Sequence, residues 1–197
     1  GSDGDDRLGG ADFDAAIAHF LLNTHQPMVQ RVAERLHHQT DEGYQDCGID
    51  KPLCTMSTLH TISEQLKIQL SEEYNNDSNE TRVTFDCMGL PNESSSSLLN
   101  ASDDFCASLE PISLSLSRTE FETISESLFH RSILPVHRLL NELELESKDI
   151  QEVVMVGGTT RMPQIQRLVQ DALPVSALNT HIDPDLTVAY GAASVID

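Results

Sequence analysis

The sequence predicts an α/β protein, because segments of two different periodicities alternate along the chain. Residues 82–88 and 112–117 alternate between apolar and polar side chains, which is typical of half-buried strands that pair as a hairpin. Residues 153–156 are all apolar, with three valines among them, and predict a buried strand. The segments around these strands carry apolar residues at the spacing of amphipathic helices.

The helical spacing also predicts where helices begin and end. The first starts near Asp12, a candidate cap, and Pro27 separates it from a second stretch that ends near His38. Thr119 and Glu122 have the spacing of a capping box. The other predicted helices are one over residues 55–74, one starting at Pro135, one over 163–173 capped by Thr159 or Thr160, and one capped by Asp183, Pro184 and Asp185.

The composition is that of a folded and strongly acidic chain. Its 197 residues suffice for one large domain or two small ones, and the 39% hydrophobic share favours a packed core over disorder. The formal net charge of −20 argues against partners such as nucleic acid or an anionic membrane surface. The chain contains no run of 18 apolar residues that could cross a bilayer. The acidity itself requires no role beyond solubility.

Four cysteines bear on the compartment in which the chain works. They show no Cys-x-x-Cys spacing and no histidines at zinc-finger spacing, which argues against a metal site. We therefore expect reduced thiols and a cytoplasmic location, while two disulfides and a lumenal location stay open. The four are Cys47, Cys54, Cys87 and Cys106.

A serine-rich segment, residues 91–104, predicts a long loop between the two hairpin strands. Asn-x-Ser/Thr triplets in and near it would be glycan acceptors in a lumenal protein. Segments rich in serine and asparagine also produce such triplets by chance, which we take as the simpler reading. The triplets begin at Asn76, Asn79, Asn92 and Asn100.

The segment after the valine-rich strand is the strongest local indication of a ligand site. Gly157 and Gly158 permit a tight turn and a close approach of a ligand to the backbone. Pro163 suits the first turn of a following helix. A strand, a glycine turn and a helix start together present N–H groups and a positive dipole end to an anion or a nucleotide. A plain tight connection would have the same sequence, so this segment alone does not decide.

Four segments, taken in order, resemble the signatures of one family. Residues 8–14 read Leu-Gly-Gly-Ala-Asp-Phe-Asp and resemble LGGxDFD, and residues 64–71 resemble the helix ExxKxxLS. Residues 156–163 resemble VGG[ST]TRxP, and residues 183–193 resemble NPDExVAYGAA. Together they resemble the ATPase domain of heat-shock protein 70 (DnaK-type) chaperones, over nearly the whole chain.

The resemblance implies an actin-like, ribonuclease-H-like ATPase fold of two lobes, of which this chain is similar to the second. Residues 1–117 would form the outer tip of that lobe, helical with a β-hairpin. Residues 118–197 would form its inner base of sheet and helices. The chain carries no counterpart of the first lobe, of its phosphate loops, magnesium-associated aspartates and catalytic lysine, or of the peptide-binding domain.

The resemblance also assigns residues to a nucleotide site. Glu64, Lys67 and Ser71 would face the adenosine, with hydrogen bonds from Lys67 and Ser71 to the sugar hydroxyls and with Glu64 orienting Lys67. Ile68 stands where the family usually has an arginine that stacks on the adenine, so this contact becomes apolar only. Residue spacing alone would instead describe an exposed Glu–Lys pair beside core residues.

The remaining implied site residues lie towards the phosphates and on the opposite wall. Gly10 would lie near the phosphates at the lobe boundary. The backbone of Gly157, Gly158 and Thr159 would pass the α-phosphate and ribose, and Arg161 would cover the other face of the base. Asp185 would border the purine pocket, although helix capping alone is the favoured role for it.

The ligand implied by the resemblance is ATP or ADP, with Mg²⁺ held through the absent lobe. The intact protein would be a molecular chaperone that couples ATP binding and hydrolysis to protein folding, whereas this chain alone has no catalytic residue and would not hydrolyse ATP. The implied partners are the first ATPase lobe and peptide-binding domain of the same protein, J-domain co-chaperones, nucleotide exchange factors and unfolded client proteins.

Two alternatives to the chaperone ATPase come from other functional classes. A non-hydrolysing relative that acts as a co-chaperone or nucleotide exchange factor is favoured by Ile68 and by the serine-rich insertion. An actin-fold sugar kinase is disfavoured by the Thr-Arg-x-Pro and Ala-Tyr-Gly-Ala-Ala strings. Intact phosphate loops and a catalytic lysine in the sequence preceding Gly1 would favour the ATPase over the exchange factor.

Overall fold

The computed structural model describes residues 1–39, 48–73, 81–90, 106–173, 178–179 and 186–194. They fall into two compact units, which we call unit 1 and unit 2. Unit 1 contains Gly1–Phe13, Ser71–Asp77 and Glu122–Asp197, and unit 2 contains Asp14–Leu70 and Ser78–Phe121. The elements are, in chain order, α1 (Gly10–Gln39), α2 (Met56–Glu72), β1 (Arg82–Gly89), β2 (Glu110–Ser117), α3 (Arg118–Ile124), α4 (Glu126–Glu142), β3 (Val153–Val154), α5 (Pro163–Ala172), β4 (Leu178–Asn179) and α6 (Thr187–Ala193).

Helix α1 joins the two stretches that the sequence predicts as separate helices. The break at Pro27 appears only as a kink, with His25 at φ −119° and ψ 17°. Proline removes one backbone hydrogen bond and crowds the preceding turn, so the helix bends here and then continues. Buried residues on both sides of the kink keep one apolar face: Ile17, Leu21, Val29 and Val32.

The predicted hairpin is confirmed in unit 2. Strands β1 and β2 pair antiparallel along their whole length, with Phe85 opposite Leu114. The edge of β1 also takes a short parallel bridge from Leu53. The alternation of the sequence places one set of side chains in the core and the other outside. The buried set includes Val83, Cys87, Leu114 and Leu116.

Unit 1 contains packed helices and a short parallel pair of strands. The Phe13 and Phe129 rings pack with centroids 5.0 Å apart and planes tilted by 51°. Helix α4 packs against α5, and Gln164 on α5 donates a 3.0 Å hydrogen bond to Glu122. Strand β3 pairs parallel with β4. The mixture of helices and strands agrees with the predicted α/β class.

The valine-rich strand is shorter and less buried than predicted. Only Val153 and Val154 are in β3, and only Met155 of the segment is buried. Val154 and Val156 are exposed. In the part of the chain that the structure describes, β4 is the single strand paired with β3, so the segment alternates between a covered and an open face.

Two predicted helix starts in this region are wrong. The capping box is formed by Ser117 and Glu120 instead of Thr119 and Glu122. The Ser117 N–H donates to Glu120 Oε2 over 2.8 Å, and the Glu120 N–H donates to Ser117 Oγ over 3.2 Å. Pro135 lies inside α4 instead of starting a helix. Because the last residue of β2 is itself a serine, the cap falls at the strand end, two residues earlier than the threonine.

Replacing Glu120 by glutamine is expected to reduce the loss of unfolding free energy that occurs as the pH falls. Hydrogen bonds from Ser117 hold the pKa of Glu120 below its ordinary value, and Arg82 lowers it further. A carboxylate with a lowered pKa stabilises the folded state above its unfolded pKa, and this is lost as the pH falls through the folded pKa. Because Glu120 is partly exposed, the effect should stay below about 1 kcal/mol.

The measurement is urea unfolding at pH 7 and near pH 3.5. Glu120→Gln keeps a side chain that can form the capping box but cannot titrate. The exposed Glu110→Gln on β2 is the control, and it should lose as much stability in acid as the parent protein. An equal loss in Glu120→Gln would contradict the assigned role.

Candidate functional site

The helix α2 carries three of the predicted site residues within unit 2. Its buried side is formed by Leu59, Ile62, Leu66 and Leu70. Glu64 and Ile68 are exposed on the other side, one helical turn apart, and Lys67 lies between the two sides. Ser71 is half-buried in the last turn of the helix. The helix therefore presents Glu64 and Ile68 to solvent, as a binding face requires.

Lys67 is held by a partner that the sequence does not indicate. Its Nζ lies 2.7 Å from Asp14 Oδ1 on α1, and the two side chains are only 11% and 18% exposed. That carboxylate oxygen is buried and accepts no aligned hydrogen bond, so the charge of Lys67 is what compensates it. Two nearly buried opposite charges stabilise each other's position, because separating them leaves each charge poorly compensated.

The loop after β3 forms a single tight turn in unit 1. Gly157 has φ 91° and ψ 150°, a region that only glycine enters without strain. Its carbonyl accepts hydrogen bonds from the Thr160 N–H (3.0 Å) and hydroxyl (2.6 Å). Residues Gly158–Arg161 complete one 3₁₀ turn. The predicted cap by Thr159 or Thr160 is wrong, since α5 follows Met162 and has no side-chain cap.

The other predicted site residues are distributed as follows. Gly158 and Arg161 are exposed, and Thr159 is half-buried. Gly10 opens α1, where the Gly9 N–H donates to Asp12 over 2.7 Å, so Asp12 reaches back to the helix start from its third position. Asp185 lies outside the described residues, and α6 is preceded by Leu186 with no side-chain cap.

The structure thus assembles two separate groups of predicted residues. Glu64, Lys67 and Ile68 share α2 in unit 2, and Gly157 to Arg161 share one turn in unit 1. Among the described residues, no three histidine, cysteine or acidic side chains are placed to hold a metal ion. The chemistry available to the two groups is hydrogen bonding, a fixed ammonium group and close backbone approach.

Asp14, the ion-pair partner of the predicted site residue Lys67, is not indicated by the sequence. It is the last residue of the segment Leu8–Asp14, which resembles a family signature, yet no role follows for it from spacing. Helix-face arguments relate residues three or four apart, whereas Asp14 and Lys67 lie on different helices. A buried lysine on a helix implies a carboxylate partner, and this is the one available signal.

Changing Gly157 to alanine is expected to destabilise unit 1 and distort the loop. Nothing lies within 4 Å of an added methyl group, so the cost comes from the backbone conformation alone, about 1–3 kcal/mol. Gly191→Ala is the matched control, because Gly191 lies in α6 with open space around it. It should be neutral or stabilising by up to about 1 kcal/mol. Thermal unfolding of both variants tests this, and equal effects would contradict it.

A family match agrees with the signatures seen in the sequence. The profile of the Hsp70 protein family matches residues 1–196. The chain belongs to the Hsp70 family. This agrees with the predicted family and with its actin-like fold class.

Curated relatives of this Hsp70 chain cover nearly all of it. It is 33% identical over 98% of its length to a chaperone protein HscA homolog of Methylobacillus flagellatus. It is 32% identical, again over 98%, to the mitochondrial iron-sulfur cluster biogenesis chaperone of Saccharomyces cerevisiae. It is 31% identical over 96% to heat shock cognate 70 kDa protein 3 of Dictyostelium discoideum. The chain spans about a quarter of the length of these relatives, 24% of each.

The relatives include a mitochondrial protein and bacterial ones, so they do not fix a compartment for this Hsp70 chain. Within the described ranges, no helix is both long and apolar enough to span a bilayer.

Proposed function

We propose that this chain is a nucleotide-binding lobe of an Hsp70-type molecular chaperone. In this proposal, residues 1–117 form its outer tip and residues 118–197 its inner base. ATP or ADP binds with its adenosine against Glu64, Lys67, Ile68 and Ser71. Binding and hydrolysis in the intact protein are coupled to protein folding. The observation that carries the proposal is the ion pair between Lys67, at the border of the exposed face of α2, and Asp14 on α1, in a chain of this family.

The adenosine end of the ligand fits the α2 residues chemically. An ammonium group donates hydrogen bonds, and sugar hydroxyls accept them. Because Asp14 neutralises Lys67, this lysine suits a neutral sugar better than a phosphate. Ile68 supplies exposed apolar surface for the flat base. Glu64 is exposed three residues from Lys67, where it can accept a hydrogen bond from the ligand or from the lysine.

The phosphate side is proposed to use the glycine turn and its neighbours. Gly157 and Gly158 carry no side chain that would keep a phosphate from the backbone. Thr159 adds a hydroxyl donor, and exposed Arg161 adds a guanidinium able to stack on the base. Gly10 and Asp185 complete the proposed set near the phosphates and the purine.

The catalytic parts and partners are proposed to lie outside this chain. Phosphoryl transfer needs Mg²⁺, a positioned water and charge-stabilising groups, and we assign them to the first ATPase lobe. The peptide-binding domain, J-domain co-chaperones, nucleotide exchange factors and unfolded client proteins are the partners proposed for the intact protein. The chain alone should show no ATP turnover.

Calorimetric titration of the full-length protein with ATP, ADP and GTP tests the proposal. We expect saturable binding of both adenine nucleotides and weaker binding of GTP. Lys67→Met should weaken ADP binding by about tenfold, as expected for loss of a hydrogen bond to a charged donor. Absence of adenine-nucleotide binding to a folded protein would refute the proposal.

Ile68→Arg is expected to strengthen ATP binding about fivefold. A guanidinium stacked on adenine contributes about 1 kcal/mol. Gln69→Arg is the matched control, because it adds the same charge at the next exposed position of α2, rotated away from Ile68. Calorimetric titration of both variants with ATP measures the change in affinity. An equal gain in both would indicate a general charge effect on an acidic chain, and no gain would show that stacking is absent.

A further inference from the structure

A covalent cross-link fastens the start of α2 to the hairpin in unit 2. Cys54 and Cys87 form a disulfide, which corrects the expectation of reduced thiols for this pair. Cys54 lies two residues before α2, and Cys87 lies in β1. The helix that carries Glu64, Lys67 and Ile68 is thereby tied at its N-terminal end to the sheet.

The backbone around the cross-link is already organised to hold it. The Cys54 N–H donates to the Met88 carbonyl over 2.8 Å, and the Met88 N–H donates to the Pro52 carbonyl over 2.8 Å. These bonds add residues 52–54 as a short parallel edge beside β1. Thr55 then starts α2 by accepting the Thr58 N–H over 3.2 Å. The disulfide therefore joins two segments that are fixed in register, as a permanent structural bond would be.

The burial of both cysteines distinguishes this disulfide from a regulatory one. Cys54 and Cys87 are each 0% exposed. Thiol–disulfide exchange requires an attacking thiolate to reach a sulfur atom, so a fully buried disulfide resists reduction in the folded protein. A redox sensor instead needs an accessible cysteine. The site is therefore built for a bond that forms once, during folding.

We infer that Cys54–Cys87 is a structural disulfide and that this Hsp70 lobe works in an oxidising compartment. Disulfides persist in such compartments, whereas cysteine thiols are kept reduced in the cytosol. Cys106 is disulfide-bonded as well, and the described part of the chain has no free cysteine. The inference favours the lumenal alternative over the expected cytoplasmic location, and it is independent of the proposed nucleotide site.

Formation of the bond follows ordinary exchange chemistry. The thiolate of one cysteine attacks the disulfide of a protein oxidant and forms a mixed disulfide, releasing one oxidant thiolate. The thiolate of the other cysteine then displaces the second oxidant thiolate. The two cysteine thiols lose two protons and two electrons in total, and the oxidant leaves as a dithiol.

The first experiment maps the thiols of the full-length protein from its native cells. Cells are lysed in N-ethylmaleimide, and the denatured protein is digested without reductant for mass spectrometry. We expect a cross-linked peptide pair containing Cys54 and Cys87 and no alkylation of either residue. Alkylation of both cysteines in most molecules would overturn the inference, whatever the protein binds.

The second experiment measures the contribution of the cross-link to stability. The full-length Cys54→Ala/Cys87→Ala protein is expected to have a Tm about 10 °C lower than the parent for the transition of this lobe. In the control, both proteins are unfolded and refolded in dithiothreitol. They should then melt together, because both lack the bond.

Each result of the second experiment is decisive. A shared Tm without reductant would overturn a structural role for the bond. A difference that persists in dithiothreitol would assign the effect to packing of the sulfur atoms and would also overturn it. If the double variant does not fold, Cys54→Ser/Cys87→Ser takes its place in the same comparison.

Discussion

Replacing Phe13 by alanine is expected to lower the free energy of unfolding by about 3–5 kcal/mol. Phe13 is fully buried in unit 1, and its ring packs on Phe129 with centroids 5.0 Å apart. Removing it loses the apolar transfer energy of the ring and leaves a cavity that close-packed neighbours fill only partly. Urea unfolding followed by circular dichroism measures the loss.

The same helix provides the control for the Phe13 prediction. Phe20 also lies on α1 but is only half-buried, so Phe20→Ala should cost clearly less, about 1–2 kcal/mol. A double-mutant cycle with Phe129→Leu should give a coupling of about 0.5–1.5 kcal/mol for the aromatic pair. Equal losses from Phe13→Ala and Phe20→Ala would contradict the burial argument.

Local periodicity predicts most of the elements of this fold. The hairpin of β1 and β2 follows from alternation that both strands share, because that pattern satisfies the core and the solvent at once. Helix ends are harder to predict. Ser117 and Thr119 both fit the capping-box pattern, and the choice depends on where β2 ends. Pro27 and Pro135 both lie inside helices, since packing of an apolar face outweighs the local cost of proline.

Contacts between distant segments set the limit of prediction for the candidate site. Spacing places Glu64, Lys67 and Ile68 on one helix, and the resemblance gives them roles. Neither indicates that Asp14 holds Lys67, because no sequence pattern relates an α1 residue to an α2 residue. The disulfide is missed for the same reason. Cys54 and Cys87 are 33 residues apart, and only the pairing of residues 52–54 with β1 brings them together.

Asp14→Asn is expected to cost about 3 kcal/mol of stability and to weaken ADP binding. The change leaves the ammonium of Lys67, 11% exposed, without its carboxylate. Removing one partner of a nearly buried pair costs about 3–5 kcal/mol, and the residual exposure of Asp14 favours the lower end. Lys67→Met leaves the buried Asp14 oxygen uncompensated instead. The double variant Asp14→Asn/Lys67→Met should recover more than half of the loss, because neither charge remains.

The surface pair of Lys51 and Asp86 is the matched control for the Asp14 prediction. It lies in the same unit with nearly the same N–O distance, 2.8 Å, but its side chains are 46% and 48% exposed. Asp86→Asn should therefore cost less than about 1 kcal/mol. Urea unfolding and ADP calorimetry on the variants separate the two roles of Asp14. Lost stability with unchanged ADP affinity would make the pair purely structural, whereas a loss no greater than that of Asp86→Asn would show that burial does not strengthen it.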